Sequence, residues 1–264
     1  MIKKFLDLGL QPLANEYQKK PTKLSVSKGQ LYNLNVSFNT KSKLVSISKR
    51  IPSEKMFNSK YPYRSSMSHT MRTSFKNLSK KIKKKFKPDL LLEIGSNDGA
   101  LIKNFKKENV IGVEPCKNLA KITKQNGYLT YAQYWNFDLA KKIKKRFNSV
   151  DVIYSANTIT HINNLNNVFK SINYLLSNEG ILIIEDPSLL ECLKKNSYDQ
   201  FYNEHIYLFS ALAVKNLLNK FGFEIFDIEN LSTHGGSLRY YIKRKENKKQ
   251  KITNKVDSQI KKEI

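Results

Sequence analysis

The chain has 264 residues, of which 40% are hydrophobic, and a formal net charge of +25. This length allows one substantial buried core, and no apolar run approaches the about 18 residues that a membrane span needs. Two cysteines exclude both a disulfide framework and a zinc cluster built from cysteines. The apolar stretch at the start is broken by Asp7, so it does not resemble a signal peptide. We expect a cytoplasmic protein with no membrane partner.

The positive charge raises the question of nucleic-acid binding. Only six of the 47 basic residues are arginine. Arginine is the side chain that contacts phosphates and bases in a bidentate manner, so its scarcity argues against recognition of a particular sequence. We therefore expect no specific nucleic-acid partner.

The predicted elements begin with residues 1–68, where short alternating apolar stretches and several prolines indicate a small β-containing lobe. Apolar residues at spacings of three and four predict a helix over 70–86, which Pro88 ends. From residue 90 onward, buried strands alternate with helices. The strands are predicted at 90–94, 110–113, 128–130, 150–154 and 180–185, with helices near 99–107, 117–125, 137–147 and 164–176.

This alternation predicts an α/β fold with a doubly wound, mostly parallel sheet. A helix near 210–221 and two strands at 223–231 and 237–243 follow. The link at 234–236 is too short for a crossover, so the last strand should be antiparallel. We divide the chain into an N-terminal lobe at 1–68, a main domain at 69–243 and a lysine-rich tail at 244–264.

One strand and the loop after it predict a ligand site. The strand at 90–94 runs into a turn with Gly95 and Gly99, and Glu114 lies at the tip of the next strand. Glycines let the backbone approach a ligand, and an acid at that tip can accept hydrogen bonds from ribose hydroxyls. The pattern predicts a site for an adenosine-containing cofactor. The alternative is an ordinary strand–turn–helix with an exposed glutamate.

The composition of the loop indicates which cofactor. Dinucleotide sites carry G-x-G-x-x-G, whereas here Asp98 lies between the two glycines and Glu93 precedes them. Acids repel a pyrophosphate but suit a cationic sulfonium and an amino group. This favours S-adenosylmethionine. The predicted cofactor residues are Glu93, Gly95, Ser96, Asn97, Asp98, Gly99, Glu114 and, at the end of the fourth strand, Asn157.

Six short motifs then point to a family. In chain order they are LG with PLAN (8–9 and 12–15), YPYRSS (61–66), EIGSNDG (93–99), GVEP (112–115), YNEH (202–205) and HGGSLR (234–239). With these motifs the chain resembles the sugar C-methyltransferases that alkylate nucleotide-linked keto-deoxyhexoses. They are a branch of the class I, Rossmann-like, S-adenosylmethionine-dependent methyltransferases. The resemblance implies a nucleotide sugar as the small-molecule substrate and methylation of carbon through an enolate.

The chain departs from the family pattern at both ends. Family members hold a structural zinc with two Cys-x-x-Cys pairs; the first would precede Met1, and Asn39 and Ser42 occupy the positions of the second. Structural zinc needs thiolate or imidazole ligands, so we expect no metal here. The tail at 244–264 corresponds to the start of the family's C-terminal domain, which helps to hold the sugar nucleotide. We expect that domain to be truncated.

The chemistry that the resemblance implies needs a base and an enolate stabiliser. A carbon beside a ketone must lose a proton before it accepts a methyl group. His205 is the candidate base, with an ordinary pKa of about 6.5, and Glu204 either orients it or is itself the base. Tyr202 and Tyr63 are candidate donors to the enolate oxygen.

Three further residues are candidate substrate contacts, namely His161, His234 and Arg239. His161 could instead cap a helix, and His234 could serve only the hairpin turn. His69 carries no indication of a role. A methyltransferase for another small molecule or for RNA, and an inactive remnant, stay open as alternatives. The oligomeric state, the sugar and the methylated carbon are not predicted.

Overall fold

The computed structural model describes residues 1–15, 17 and 31–264. Its strands are β1 (Ile2–Gln11), β2 (Tyr32–Asn39), β3 (Val45–Ile47), β4 (Leu91–Ile94), β5 (Val110–Val113), β6 (Leu129–Tyr131), β7 (Val150–Ala156), β8 (Leu176–Pro187), β9 (Tyr207–Leu208), β10 (Phe223–Leu231) and β11 (Ser237–Arg244). Its α-helices are α1 (Ser53–Met56), α2 (His69–Lys85), α3 (Lys117–Gln125), α4 (Phe137–Phe147), α5 (Leu165–Leu175), α6 (Leu189–Lys195), α7 (Ala211–Leu218) and α8 (Asn254–Glu263). None of the helices in these ranges combines the length and apolar character that crossing a bilayer requires.

The main sheet has seven strands in the order β10-β11-β8-β7-β4-β5-β6. Neighbouring strands from β8 to β6 run parallel, and β11 lies antiparallel to both β8 and β10. This confirms the predicted doubly wound α/β sheet with an antiparallel last strand. Because β4, β5 and β7 run parallel, the loops that follow them all lie at one edge of the sheet.

Both faces of the sheet are covered, which explains why its strands are apolar in unbroken runs. In β8, Leu182 and Ile184 pack into one core cluster, which contains the apolar residues of α4, α5, α7 and α8. The alternate residues Ile181 and Ile183 pack into the cluster on the other side, with the apolar face of α2. Successive strand residues point to opposite faces, so one strand serves two cores.

The helix predicted at 99–107 is wrong, because only two short 3₁₀ turns form there, Ile102–Asn104 and Lys107–Asn109. The Asn104 side chain donates to the carbonyls of Ala100 (3.0 Å) and Leu101 (2.9 Å), and its backbone N–H bonds to Leu101 (2.9 Å). In an α-helix the Asn104 N–H would instead bond to Ala100. The asparagine side chain thus competes with the helical hydrogen bonds and tightens the turn.

A second, four-stranded sheet has the order β1-β2-β3-β9, and its pairs are antiparallel. The first three strands come from the predicted N-terminal lobe, and β9 comes from beyond the fifth parallel strand. Asn39, at one of the positions where the resembling family has cysteine, closes a turn here: its Oδ1 accepts from the backbone of Lys41 and Ser42, both at 3.0 Å. Among the described residues, no group of three or more His, Cys, Asp or Glu could hold a metal ion.

Residues after β11 return to the main sheet. Val256 and Ile260 of α8 are buried in the larger core cluster. Glu263 accepts hydrogen bonds from the backbone N–H groups of Ala211 and Leu212 (both 3.0 Å), the first residues of α7. An acid at that position caps the helix and interacts favourably with its dipole.

Candidate functional site

A cavity of about 830 Å³ lies at the carboxyl ends of β4, β5 and β7, and residues of the N-terminal lobe cover part of it. The structure brings eleven of the predicted site residues to this cavity. They are Tyr63, Glu93, Gly95, Ser96, Asn97, Glu114, Asn157, His161, Tyr202, His205 and His234. Four others, Asp98, Gly99, Glu204 and Arg239, are not among its lining residues. The parallel sheet explains why residues after β4, β5 and β7 meet here, since these loops lie at one edge; Tyr63, Tyr202, His205 and His234 come from other parts of the chain.

Gly95 allows the loop after β4 to lie against the loop after β7. Its φ of +76° is in the left-handed region, and a Cβ at this position would lie 2.1 Å from Thr158 Oγ1. A side chain here would therefore be strained by its backbone and would also collide with its neighbour. Residues 95–99, which we call the cofactor loop, continue through Asn97, also left-handed at φ +50°.

Glu114 is buried, with 4% of its surface exposed. Its two carboxylate oxygens accept from the backbone N–H groups of Asn97 and Cys116, each at 2.8 Å. Burial raises the pKa of Glu114, and these amide hydrogen bonds act in the opposite direction. Each oxygen has a further lone pair, so the carboxylate can still accept hydroxyl donors from a ligand.

Several buried polar atoms of residues that line the cavity have no hydrogen-bond partner within the described part of the chain. They include Glu93 Oε2, Ser96 Oγ and Asn157 Oδ1. Burial, with the nearby charges of Glu114 and Asp98, raises the pKa of Glu93 well above its ordinary value. Buried polar groups in native proteins are nearly always satisfied. A polar ligand with cationic groups fits this donor and acceptor set.

Asp98 has a different environment from the one predicted. Its carboxylate accepts from the backbone N–H (3.2 Å) and the hydroxyl of Ser66. It is therefore engaged with the N-terminal lobe and does not line the cavity, which leaves Glu93 as the acid closest to the predicted role. The sequence argument did not foresee this contact, because Ser66 is distant from Asp98 in the chain.

His205 is buried, and its ring is fixed at both nitrogens. Nδ1 lies 2.9 Å from the carbonyl of Gln200, and Nε2 lies 3.0 Å from the hydroxyl of Tyr202. A carbonyl can only accept, so Nδ1 carries the proton and Nε2 of the neutral ring accepts from Tyr202. Burial lowers the pKa of His205 to about 4. The pKa falls below its ordinary value because desolvation disfavours the imidazolium form.

Glu204 is not among the residues that line the cavity, although it precedes His205 and bonds to two residues that do. Its carboxylate accepts from Asn15 Nδ2 (2.8 Å) and from the hydroxyl of Tyr61 (3.2 Å). Burial raises the pKa of Glu204, and these two hydrogen bonds oppose the rise. The carbonyl of Gln200, rather than Glu204, holds the His205 ring in position.

His161 lies beside His205, with ring centroids 5.0 Å apart, and stacks on Phe57 at 5.3 Å. Its buried Nε2 atom has no partner among the residues described, and burial lowers the pKa of His161 well below its ordinary value. His234 is exposed, and its Nε2 accepts from Asn157 Nδ2 at 3.1 Å. Both histidines can therefore meet a ligand in the cavity.

Arg239 lies outside the cavity because acids flank it on both neighbouring strands. In the sheet it is directly opposite Glu185 and Glu229. Its guanidinium donates to Glu185 (2.8 and 3.0 Å) and Glu229 (3.0 Å), and the residue is 5% exposed. Cross-strand neighbours of opposite charge pair in this way. The guanidinium N–H groups that bond to these acids are therefore engaged within the sheet.

The sequence interpretation missed several residues of the N-terminal lobe that line the cavity. Asn15 and Tyr61 belong to the quoted motifs, so the motifs themselves could have suggested them. Phe57, which stacks on His161, and Glu54 have no such signal in the sequence. They depend on how the lobe packs over the sheet edge.

Sequence comparisons relate the chain to known methyltransferases. A family model described as a methyltransferase domain matches residues 63–228. The C-methyltransferase NovU of Streptomyces niveus is 30% identical over 152 residues, covering 57% of this chain and 36% of that protein. The chain thus spans about a third of the length of this curated relative.

A solved structure shows the same fold. A methyltransferase from Anabaena variabilis superposes with a TM-score of 0.50 at 18% identity, covering 67% of this chain and 86% of that one. The magnesium protoporphyrin IX methyltransferase ChlM of Synechocystis, solved with bound SAH, gives a TM-score of 0.47 at 15% identity, covering 66% and 83%.

Proposed function

The chain belongs to the S-adenosylmethionine-dependent methyltransferases, and we propose that it methylates a carbon atom of a nucleotide-linked keto-deoxy sugar. The observation that carries this proposal is the neutral His205 ring, held by Tyr202 and Gln200, in the same cavity as Glu93 and Glu114. A base beside the cofactor site serves a carbon acceptor, which must lose a proton. The similarity to the C-methyltransferase NovU supports the same reading.

The cavity has the groups that the cofactor needs. Glu114 would accept the ribose hydroxyls, and the unpartnered oxygen of Glu93 would face its positive charge. When bound, S-adenosylmethionine supplies an electrophilic methyl group, and its sulfonium becomes the neutral thioether of S-adenosylhomocysteine. A neutral thioether leaves without help from a general acid, so the main task of the protein's residues is to align the acceptor.

The acceptor carbon would give its proton to His205 Nε2. For this, the Tyr202 hydroxyl would turn from Nε2 to the ketone oxygen and donate there, and Tyr63, which also lines the cavity, would be a second donor. The electron pair of the broken C–H bond passes to the enolate and then forms the new C–C bond, with one proton released. Since His205 is a weak base, stabilisation of the enolate oxygen by these hydroxyls carries much of the catalysis.

A phosphate-free keto compound is the second candidate acceptor. No lysine or arginine occurs among the described residues that line the cavity, although 47 such residues occur in the chain. The diphosphate group of a nucleotide sugar normally binds to cationic side chains or to a helix N-terminus. This observation favours an acceptor recognised through its carbon skeleton alone.

The test is methyl transfer from labelled S-adenosylmethionine to a panel of acceptors with purified protein. The panel contains nucleotide-linked keto-deoxy sugars, the corresponding free keto sugars and RNA, with the same nucleotide sugars reduced to alcohols as controls. We expect transfer to the nucleotide-linked ketones and none to the alcohols. Equal transfer to free keto sugars supports the second candidate, and transfer only to RNA contradicts both.

A further inference from the structure

We propose that Asn97 and Asp98 are positioning residues, which couple the cofactor loop to a segment of the N-terminal lobe that carries Tyr63. We call this segment, residues 61–66, the strap. Tyr63 lines the cavity, and its service to an acceptor rests on the proposed function. The coupling itself, in which an occupied cofactor site fixes the strap, can be tested without any acceptor.

Asn97 makes the first connection between the loop and the strap. Its Oδ1 accepts from the backbone N–H of Ser65 at 2.9 Å, and its Nδ2 donates to the carbonyl of Tyr63 at 3.2 Å. These two bonds fix the backbone on both sides of Arg64. They therefore determine where the Tyr63 side chain leaves the main chain.

Asp98 makes the second connection. Its carboxylate accepts from both the backbone N–H and the hydroxyl of Ser66. Hydrogen bonds to an ionised carboxylate are about twice as strong as neutral ones. Asn97 and Asp98, which are both predicted cofactor residues, thus hold the strap with four hydrogen bonds.

The strap is also attached beyond the cofactor loop. Asn118 of α3 donates to the carbonyl of Tyr61 at 2.9 Å, and the Tyr61 hydroxyl donates to Glu204 on the other side of the cavity. The strap therefore crosses from the cofactor half of the site to the segment that contains Tyr202 and His205. Its position affects both halves.

Cofactor occupancy can reach the strap through Glu114. The same Glu114 carboxylate that is expected to accept ribose hydroxyls accepts the backbone N–H of Asn97 at 2.8 Å. Asn97 has a left-handed backbone at φ +50°, a conformation that surrounding contacts must maintain. A ligand that orders Glu114 favours this conformation, and with it the bonds to Ser65 and Tyr63. A ligand shifts such an equilibrium only by its differential affinity for the two states.

The experiment measures backbone hydrogen exchange of the strap with and without S-adenosylhomocysteine, the demethylated cofactor. In the unaltered protein we expect the ligand to slow exchange at Ser65 and Ser66 by about 10-fold, which corresponds to about 1.4 kcal/mol. Asp98→Ala should lose this protection at Ser66 and, because the coupling is reciprocal, weaken S-adenosylhomocysteine binding by less than about 10-fold. Asp98→Asn keeps an acceptor oxygen and should retain part of the protection. Asp138→Ala, an exposed acid on α4, is the matched control.

If Asp98→Ala fails to fold, Ser66→Ala serves instead, because it removes only the hydroxyl donor. The proposal is overturned if either variant shows the same ligand-dependent protection as the unaltered protein. It is also overturned if Asp98→Ala weakens S-adenosylhomocysteine binding as much as Glu114→Ala does, since Asp98 would then be a cofactor ligand. No acceptor is present, so failure of the proposed carbon methylation would leave these outcomes unchanged.

Discussion

At the residue scale, burial changes the pKa values of the side chains at this site. His205 has an ordinary pKa close to neutrality, but within the fold it is a neutral donor–acceptor with a pKa of about 4. Glu204, its neighbour in the sequence, faces Asn15 and Tyr61 instead. Eleven of the residues predicted from the sequence line the cavity, but the sequence could not supply their protonation states, because those depend on contacts from other elements.

Replacement of Glu114 tests the cofactor site. A hydrogen bond to a charged group contributes about 1.5–3 kcal/mol, so Glu114→Ala should weaken S-adenosylmethionine binding by about 10- to 150-fold. Calorimetry on folded protein measures the affinity. Asp199→Asn, an exposed acid at the rim of the same cavity, is the control for a change of charge. Unchanged affinity in Glu114→Ala would remove the ribose role.

The low pKa of His205 predicts how the protein responds to acid. Between about pH 4 and 6.5 the unfolded chain binds a proton at this residue and the folded chain does not. Its contribution to stability is therefore complete above about pH 6.5 and decreases as the pH falls, by about 1.4 kcal/mol per pH unit. Denaturant titrations of the unaltered protein and of His205→Gln over this range measure the difference. A constant difference would show that the ring titrates normally in the fold.

At the level of elements, hydrophobic periodicity predicted most of the strands and helices, because buried faces require it. It did not predict the turns at 102–109, where the Asn104 side chain replaces a helical hydrogen bond. It also did not show that β9 completes the N-terminal sheet, since a two-residue strand leaves no pattern. Competition of a side chain for backbone hydrogen bonds, and pairing between strands distant in the chain, are difficult to predict from a single sequence.

Alanine substitutions at two glycines with similar backbone angles can distinguish the cost of backbone strain from the cost of a steric collision. Gly95 and Gly222 have φ of +76° and +73°, but a Cβ at Gly222 meets nothing within 4 Å. Gly222→Ala should lower the free energy of unfolding by about 1–2 kcal/mol, the cost of a left-handed alanine. Gly95→Ala should cost an additional 1–3 kcal/mol, roughly, from overpacking against Thr158, and should weaken cofactor binding. Chemical denaturation and calorimetry measure both effects. Equal losses in the two variants would contradict the close approach of the loops.

At the scale of the whole molecule, topology explains why the cavity lies at the carboxyl ends of the parallel strands. The doubly wound sheet brings the ends of β4, β5 and β7 to one edge, and the cavity is there. The cover over that edge was not predictable, because it depends on how residues 53–66 pack across the main domain. The strap and its bonds to Asn97 and Asp98 belong to this unpredicted part.

The net charge of +25 predicts the character of any nucleic-acid binding. Lysine-rich surfaces attract phosphates without recognising bases, so affinity for RNA or DNA should fall steeply with salt and vary little with sequence. Fluorescence anisotropy with unrelated oligonucleotides at low and physiological salt measures both properties. A complex that depends on sequence and persists at physiological salt would disagree with this expectation.

The central claim is that the acceptor atom is carbon, and the position of the transferred methyl group tests it most directly. The measurement is NMR of the product formed with S-adenosylmethionine that carries a ¹³C-labelled methyl group. We predict a methyl carbon bonded to the sugar carbon beside the ketone, with turnover reduced by about 10²- to 10⁴-fold in His205→Gln, as for a lost general base. A labelled methyl group on oxygen or nitrogen would contradict the account.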